Sequence, residues 1–489
     1  SSVTLSTPVT ATPATQPPPN SIIVPAVAHT DGASSKWLSD IRLTNITPST
    51  MRYELNFTPS NADGTLTGKQ TTLEVPPGRT LALNDILKTS FDGGEIGQGV
   101  LEIRPKNVLP TSFTSVVSSR TYNQSASGTY GQFIPGIPFS KFVGVSQPNK
   151  PSTTLSLQQI AQSATYRTNF GLVEASGKPV DLLMSVFSAS GAKLGEIPIS
   201  LKAGEQRQFN SLLAANNITL EDGRVEIKVT SGEGRVSAYA SVVDNRTNDP
   251  LLVPAVQLST VNAAKYVIPG VADLSGAGAS WRTDMRLLNA SNAAVTANLI
   301  FYPQSASDKP VSTSVTIQPG EISVLDNILA TSFGLTNVGG AVHVTTSNPT
   351  ALVATARTYD KRTDGTFGQF IPAITADEAT GFGMRPLQIL QLEESSQFRA
   401  NLGVAEVSGK SAMVEISAIV PDSTVAPKKT IQLQPNEFLQ IPQIMKDLGL
   451  GTVYNGRLSV KVISGQGRVT AYGSIIDNKT QDPTYVPAQ

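Results

Sequence analysis

"RTYNQSASGTYGQFIP" occupies residues 120–135, and "RTYDKRTDGTFGQFIP" occupies residues 357–372. Ten of the sixteen positions are identical across an offset of 237 residues. Three further pairs share nearly the same offset. "WLSDIRLTN" (37–45) returns as "WRTDMRLLN" (281–289), and "YRTNFGLVEASGK" (166–178) as "FRANLGVAEVSGK" (398–410). "GRVSAYASVVDNRTNDPLLVPA" (234–255) returns as "GRVTAYGSIIDNKTQDPTYVPA" (467–488). Self-similarity at a fixed period marks a repeated architecture. The chain is a duplication of a unit of about 235 residues.

Each unit divides again. Trp37-x-Ser-Asp-x-Arg-Leu aligns with Tyr166-Arg-Thr-Asn-Phe-Gly-Leu, and the closing hairpins align as well. This predicts four related modules in the order A-B-A-B, over residues 21–139, 140–262, 263–376 and 377–489. Inside a module, apolar-alternating runs such as "IRLTN", "RYELNF" and "DLLMSVF" read as strands. Pro-Gly or Ala-Gly turns follow. A short helical turn comes next, with Asn84, Asn210 and Asp326 as expected N-caps or first-turn residues. Seven or so short strands in about 115 residues predict an all-β fold of tandem Ig-like β-sandwiches, each with one short helix. A four-bladed propeller fits less well, because its blades are shorter and hold four strands each.

Composition narrows the function. The chain of 489 residues has 37 basic and 37 acidic side chains, and charged residues make up 15%. That is below the roughly 25% usual for soluble domains and gives no footprint for nucleic acid. No apolar run is long enough to span a membrane. There is no cysteine, so disulfides, thiol catalysis and thiolate metal sites are excluded. The sequence opens at Ser1 without Met, which fits a secreted protein after signal-peptide removal. Seven Asn-x-Ser/Thr sequons, Asn45, Asn123, Asn245, Asn289 and Asn478 among them, are expected mostly from composition.

Residues 1–20 have no repeat partner. They are uncharged and rich in Ser, Thr and Pro, as a linker would be. Yet Val3, Leu5, Val9 and Ala11 fall on one parity and threonines and serines on the other, the pattern of an extended arm with one apolar face. "QPPPN" behind it reads as a stiff spacer. Such an arm can add a strand to another subunit's sheet.

Chemistry-bearing residues are few. His29 and His343 occupy non-equivalent points, no metal-binding spacing occurs, and no nucleophile elbow is present. No catalytic residue, cofactor or metal is expected. "VSGK" (407–410) reads as a turn between strands rather than a phosphate loop. Asp244, Asn248 and Asp249, and Asp477 with Asp482, carry the oxygens calcium favours, but Arg246 and Lys479 intrude and hairpins use the same residues. Asp40 with Arg42, and Asp284 with Arg286, stand two apart on a strand and so share a face. Beside Trp37 and Trp281 they are candidate ligand-facing residues, as in sugar binding. The competing reading is an ion pair bracing the sandwich. The two B modules, B1 (140–262) and B2 (377–489), replace the motif by Arg-x-Asn-x-Gly, keeping the frame but not the chemistry, which favours the structural reading.

The motifs W-R-[ST]-D-[LIM]-R-L-x-N, R-T-N-[FL]-G-L-V and G-T-[YF]-G-Q-F-I-P resemble those of tandem modules in large secreted bacterial proteins of acidobacteria-like genomes. The resemblance covers nearly all of residues 21–489 and implies an extracellular repeated β-sandwich with no established activity. The expectation is an extracellular structural protein, a subunit of a cell-surface fibre, sheath or layer, self-associating through its arm. The alternative is a monomeric adhesin or carbohydrate-binding array whose partner is a glycan.

Overall fold

The computed structural model describes residues 9–10, 16–31, 36–91, 97–126, 128–146, 153–276, 278–304, 308–421 and 426–489. The chain is all-β, and its sheets are arranged in repeated sandwich-like units. It divides into two compact units. The first comprises Ser1–Phe187, Lys193–Val243 and Leu252–Ser259, and the second Ser188–Ala192, Asp244–Leu251 and Thr260–Gln489.

In the first unit, one sheet runs in the order Val9–Thr10, Lys69–Val75, Met51–Pro59, Gly97–Pro105, Ile22–Asp31, Lys36–Asn45, Ser115–Ser125, Gly128–Pro135. It folds into two layers because Ile22–Asp31 serves both. Its first part pairs with Gly97–Pro105, its register shifts between Val24 and Val27, and only His29–Asp31 pair with Lys36–Asn45. Alternation does the rest. In Met51–Pro59 every second residue (Met51, Tyr53, Leu55, Phe57) is buried. They meet Ile41, Leu43, Leu101 and Ile103 in one core.

Later in the same unit, Lys193–Leu201, Val180–Ser188, Leu220–Gly232, Leu155–Gln162 and Val256–Gln257 form one sheet, and Gln206–Phe209, Tyr166–Glu174, Val236–Asp244 and Pro250–Pro254 another. The second unit repeats both arrangements. Its first sheet runs Val311–Ile317, Val295–Pro303, Val338–Thr346, Lys265–Gly276, Ala279–Asn289, Leu352–Arg362, Gly365–Pro372. Its other two are Leu387–Glu394, Val453–Gly465, Ala412–Ile419, Lys428–Leu433 and Phe438–Ile441, Phe398–Glu406, Val469–Asp477, Pro483–Pro487.

The four short helices are Ile86–Ser90, Leu212–Ala215, Ile328–Ser332 and Ile444–Asp447. Their caps fall one residue later than the sequence suggested. Asp85, Ser211, Asn327 and Gln443 cap them in left-handed conformation, with φ of 47°, 53°, 43° and 47°, and no side chain closes the cap. Asn84, Asn210 and Asp326 precede these caps. A non-glycine residue in that conformation is strained, so something else must hold it.

Among the described residues no helix is long and apolar enough to cross a membrane. Of the arm, Val9 and Thr10 pair antiparallel with Gln70 and Lys69 of the same chain. Val3, Leu5 and Ala11 lie outside the described residues.

Candidate functional site

The strand that carries the first repeated motif holds three positions that recur in all four copies, and the first does the same work in each. The first is Asp40, Asn169, Asp284 or Asn401. Its side-chain oxygen accepts the backbone N–H of the left-handed cap residue: Asp85 (2.8 Å), Ser211 (3.3 Å), Asn327 (2.8 Å) and Gln443 (3.0 Å). This bond holds the strained turn. The sequence suggested that modules B1 and B2 lose the chemistry of this motif. They lose the arginine but keep the work of this first position, because an amide oxygen accepts a hydrogen bond as a carboxylate oxygen does. Burial raises the Asp284 carboxyl above the usual carboxylate range, and the Asn327 N–H partly offsets this.

The second position is Arg42, Gly171, Arg286 or Gly403. Arg42 Nη1 donates to the Ile41 carbonyl (3.0 Å) and Arg286 Nη1 to the Met285 carbonyl (2.9 Å). Arg286 Nη2 also meets Asp326 Oδ1 at 2.7 Å. The residue across the ladder is small in these copies: Ser118 opposite Arg42 and Thr355 opposite Arg286. In the other copies the sizes are exchanged. Tyr472 stands opposite Gly403, and a Cβ on Gly403 would lie 2.2 Å from its ring. Gly171 is likewise filled by Tyr239, at 2.0 Å. A large and a small residue have changed places across the same pair of strands.

The third position is Asn45, Glu174, Asn289 or Glu406, all fully buried. Asn45 Oδ1 accepts the N–H of Thr47 (2.9 Å), and its Nδ2 donates to the carbonyls of Ser49 (2.7 Å) and Val75 (2.8 Å). Asn289 repeats this with Ser291, Ala293 and Ile317. The sequons at Asn45 and Asn289 are therefore turn devices with no accessible amide. Glu174 accepts N–H groups from Ser176 (2.6 Å), Gly177 (3.0 Å), Lys178 (3.2 Å), Gly204 (2.7 Å) and Arg235 (3.1 Å). Glu406 accepts those of Ser408 (2.7 Å), Gly409 (2.8 Å) and Asn436 (2.8 Å), so the "VSGK" turn closes on the chain's own carboxylate. The sequence reading passed over both glutamates. Their signal was the repeated E-x-S-G-K.

The candidate ligand residues are thus drawn into the scaffold. Trp37 and Trp281 are half-buried rather than openly displayed, with Trp37 paired to Asn123 and Trp281 to Asp360.

The stretch at 120–135 is explained in the same way. Arg120 lies over the Tyr122 ring at 4.8 Å and donates to Thr129 Oγ1 at 2.9 Å. A Cβ on Gly131 would stand 3.1 Å from its Nε. Arg357, Tyr359, Thr366 and Gly368 repeat the set, with the ring at 4.7 Å and the bond at 2.6 Å. Gln132 accepts the Ser241 hydroxyl (3.3 Å) and Gln369 that of Ser474 (3.2 Å). In each compact unit the hairpin therefore fastens to a strand of the following sandwich.

The acidic hairpins also turn inward. In the second unit, Asp244 Oδ2 accepts Thr366 N (3.0 Å) and Thr366 Oγ1 (2.9 Å), while Asp249 Oδ2 accepts Gly368 N (2.8 Å). Asp477 Oδ1 accepts Lys479 N (2.8 Å) and Thr480 N (3.2 Å). All four hairpin aspartates, Asp482 included, are 1% exposed. Among the described residues no group of three or more His, Cys, Asp or Glu side chains is arranged to hold a metal.

His343 is buried on its strand, 4.5 Å from the Tyr302 ring, and burial drives its pKa down to about 3. His29 pairs with Asp85 at 2.7 Å. One open groove of about 740 Å³ belongs to the first unit, and Arg52, Glu74, Lys106, Asn107, Leu109 and Phe113 are among its lining residues. Leu109 and Phe113 are 72% and 53% exposed.

No protein-family model matches the chain, and no curated protein matches it. Among solved structures, it is aligned with a tetra-tandem repeat in the extending region of a large adhesion protein. Identity is 11%, over 95% of this chain and 97% of the other, with a TM-score of 0.10.

Proposed function

We propose that this protein is an extracellular structural protein, a subunit of a cell-surface fibre, sheath or layer. Its repeated sandwiches supply length, and its N-terminal arm links neighbouring subunits by strand addition. One observation carries the reading. Val9 and Thr10 are paired as a β-strand on the edge strand Lys69–Val75. These two residues of the arm are therefore in edge-binding strand conformation, and the same pairing made to a neighbour's edge is a heterologous contact. Contacts of that kind give filaments wherever their rotation does not close a ring. The internal commitment of the repeated polar residues supports a scaffold role as well.

Deleting residues 1–20 and comparing the proteins by electron microscopy and size exclusion tests this. Full-length protein is expected to assemble and the deletion variant to stay monomeric. If full-length protein stays monomeric at high concentration and the deletion changes nothing, the reading fails.

A second reading, a glycan-binding array, has the groove beside Phe113 in its favour, since it combines charged and amide side chains with an exposed aromatic ring. A glycan array with Phe113→Ala as control tests it, and loss of a wild-type signal in that variant is the expected result.

A further inference from the structure

Four equivalent sheet edges can be compared. Lys69–Val75, Lys193–Leu201, Val311–Ile317 and Lys428–Leu433 each pair on one side with the second strand of their sandwich. An exposed edge invites pairing with another chain, and proteins guard edges with charge, Pro or a cover. Three of the four are guarded. Lys193–Leu201 carries exposed Lys193, Glu196 and Pro198, and Lys428–Leu433 opens with two lysines. Lys69–Val75 is covered by Val9–Thr10 while the arm lies on its own chain, and it opens with Lys69, a charge that remains when the arm leaves for a second copy.

Within its own length Val311–Ile317 has none of these guards, and exposed Lys309 and Pro310 stand just before it. It reads VSTSVTI, with no charge, no Pro and four β-branched residues among its first six. It ends its sheet, and among the described residues no strand pairs with its outer edge. Its alternation is regular, with Ser312, Ser314 and Thr316 exposed. A straight, uncharged, β-branched edge is the kind that accepts a strand.

We propose that Val311–Ile317 is the acceptor for the N-terminal arm of a second copy of this chain. The inference rests on the strand-addition reading above and names its receiving site. The register follows from the duplication. Lys69 pairs with Phe57 and Gln70 with Asn56, and Val311 and Ser312 pair with the equivalent Phe301 and Ile300. Because Val9 lies opposite Gln70 and Thr10 opposite Lys69 within one chain, Val9 of one copy lies opposite Ser312 of the next, and Thr10 opposite Val311. The arm is as uncharged as the edge, so no ion is desolvated on docking.

The chain has no cysteine, so crosslinks report pairing cleanly. Full-length Val9→Cys/Ser312→Cys protein, oxidised at high concentration, is expected to give a reducible ladder of oligomers. Val9→Cys/Gln70→Cys serves as the control for pairing within one chain. Ser314→Lys, at an exposed position, is expected to abolish the ladder while leaving the melting curve unchanged. Thr316→Lys provides a second edge variant should that one fold poorly. Arm-dependent assembly without the Val9–Ser312 crosslink overturns this acceptor and leaves the strand-addition reading standing. Protein that never assembles overturns both. Dimers formed by Ser312→Cys alone overturn the proposal in favour of edge-to-edge pairing of two copies.

Discussion

Asp249 and Asp482, 233 residues apart in sequence, bring two buried carboxyl groups into interaction inside the second compact unit. Burial and neighbouring carboxyl groups both disfavour the charged form of such a group. Burial is the main force raising the Asp249 carboxyl, to about 7, and neighbouring Asp244 adds to it, while Arg357, Gly368 N–H and Asp482 pull the other way. A carboxyl whose folded pKa lies above its unfolded value stabilises the fold at low pH, and that contribution is lost as pH rises through the folded value. The second unit should therefore lose stability between about pH 4 and pH 7 from this pair. Thermal melts across that range check it. Asp249→Asn keeps a hydrogen bond and removes the proton, so its profile should be flatter. An unchanged profile refutes the assignment.

His343 acts in the opposite direction. Its folded pKa, driven down to about 3 by burial and then by Lys265, lies below the ordinary value. The neutral ring is required, so stability is present above the unfolded pKa of about 6.5 and falls with pH below it, by up to about 1.4 kcal/mol per unit. His343→Phe keeps an aromatic side chain beside Tyr302 and should remove the acid sensitivity. Melts between pH 4 and pH 7 with and without the substitution measure it.

Asp284→Ala should cost about 1–3 kcal/mol, because the Asn327 N–H loses its acceptor at a strained residue. Asp284→Asn should be close to neutral, since Asn169 and Asn401 already do this work. Chemical denaturation of the two variants separates a role in charge from a role in accepting one hydrogen bond. Equal loss in both would show that the charge matters.

Gly403→Ala should be severely destabilising, because the Tyr472 ring occupies the space. Tyr472→Thr alone should cost about 3–5 kcal/mol as a cavity. The double variant should lose less than the sum, since Thr355 across from Arg286 shows that the small residue belongs opposite the large one. Additive losses would remove the exchange argument.

The repeats, the strand periodicity and the short helices were legible because each leaves a local mark: an offset, an alternation, an apolar pair after a turn. The pairing of Gly403 with Tyr472 was not, because register joins residues 69 apart and the sequence shows only one strand at a time. The caps at Asp85 and Asn327 were misplaced for a related reason. Their conformation is imposed by Asp40 and Asp284, 45 and 43 residues upstream, and not by their own side chains. The carboxyl pair stayed hidden because hairpin aspartates look alike whether they face water or each other.

Glu174 binds backbone donors from three separate loops, at 176–178, 204 and 235. Releasing any one loop leaves a buried negative charge short of donors. Such a junction has no stable half-open state. Tension transmitted along the chain would meet a clamp that yields at once rather than loop by loop, so the sandwich that holds Glu174 should extend in a single step, like a fuse sized for one load.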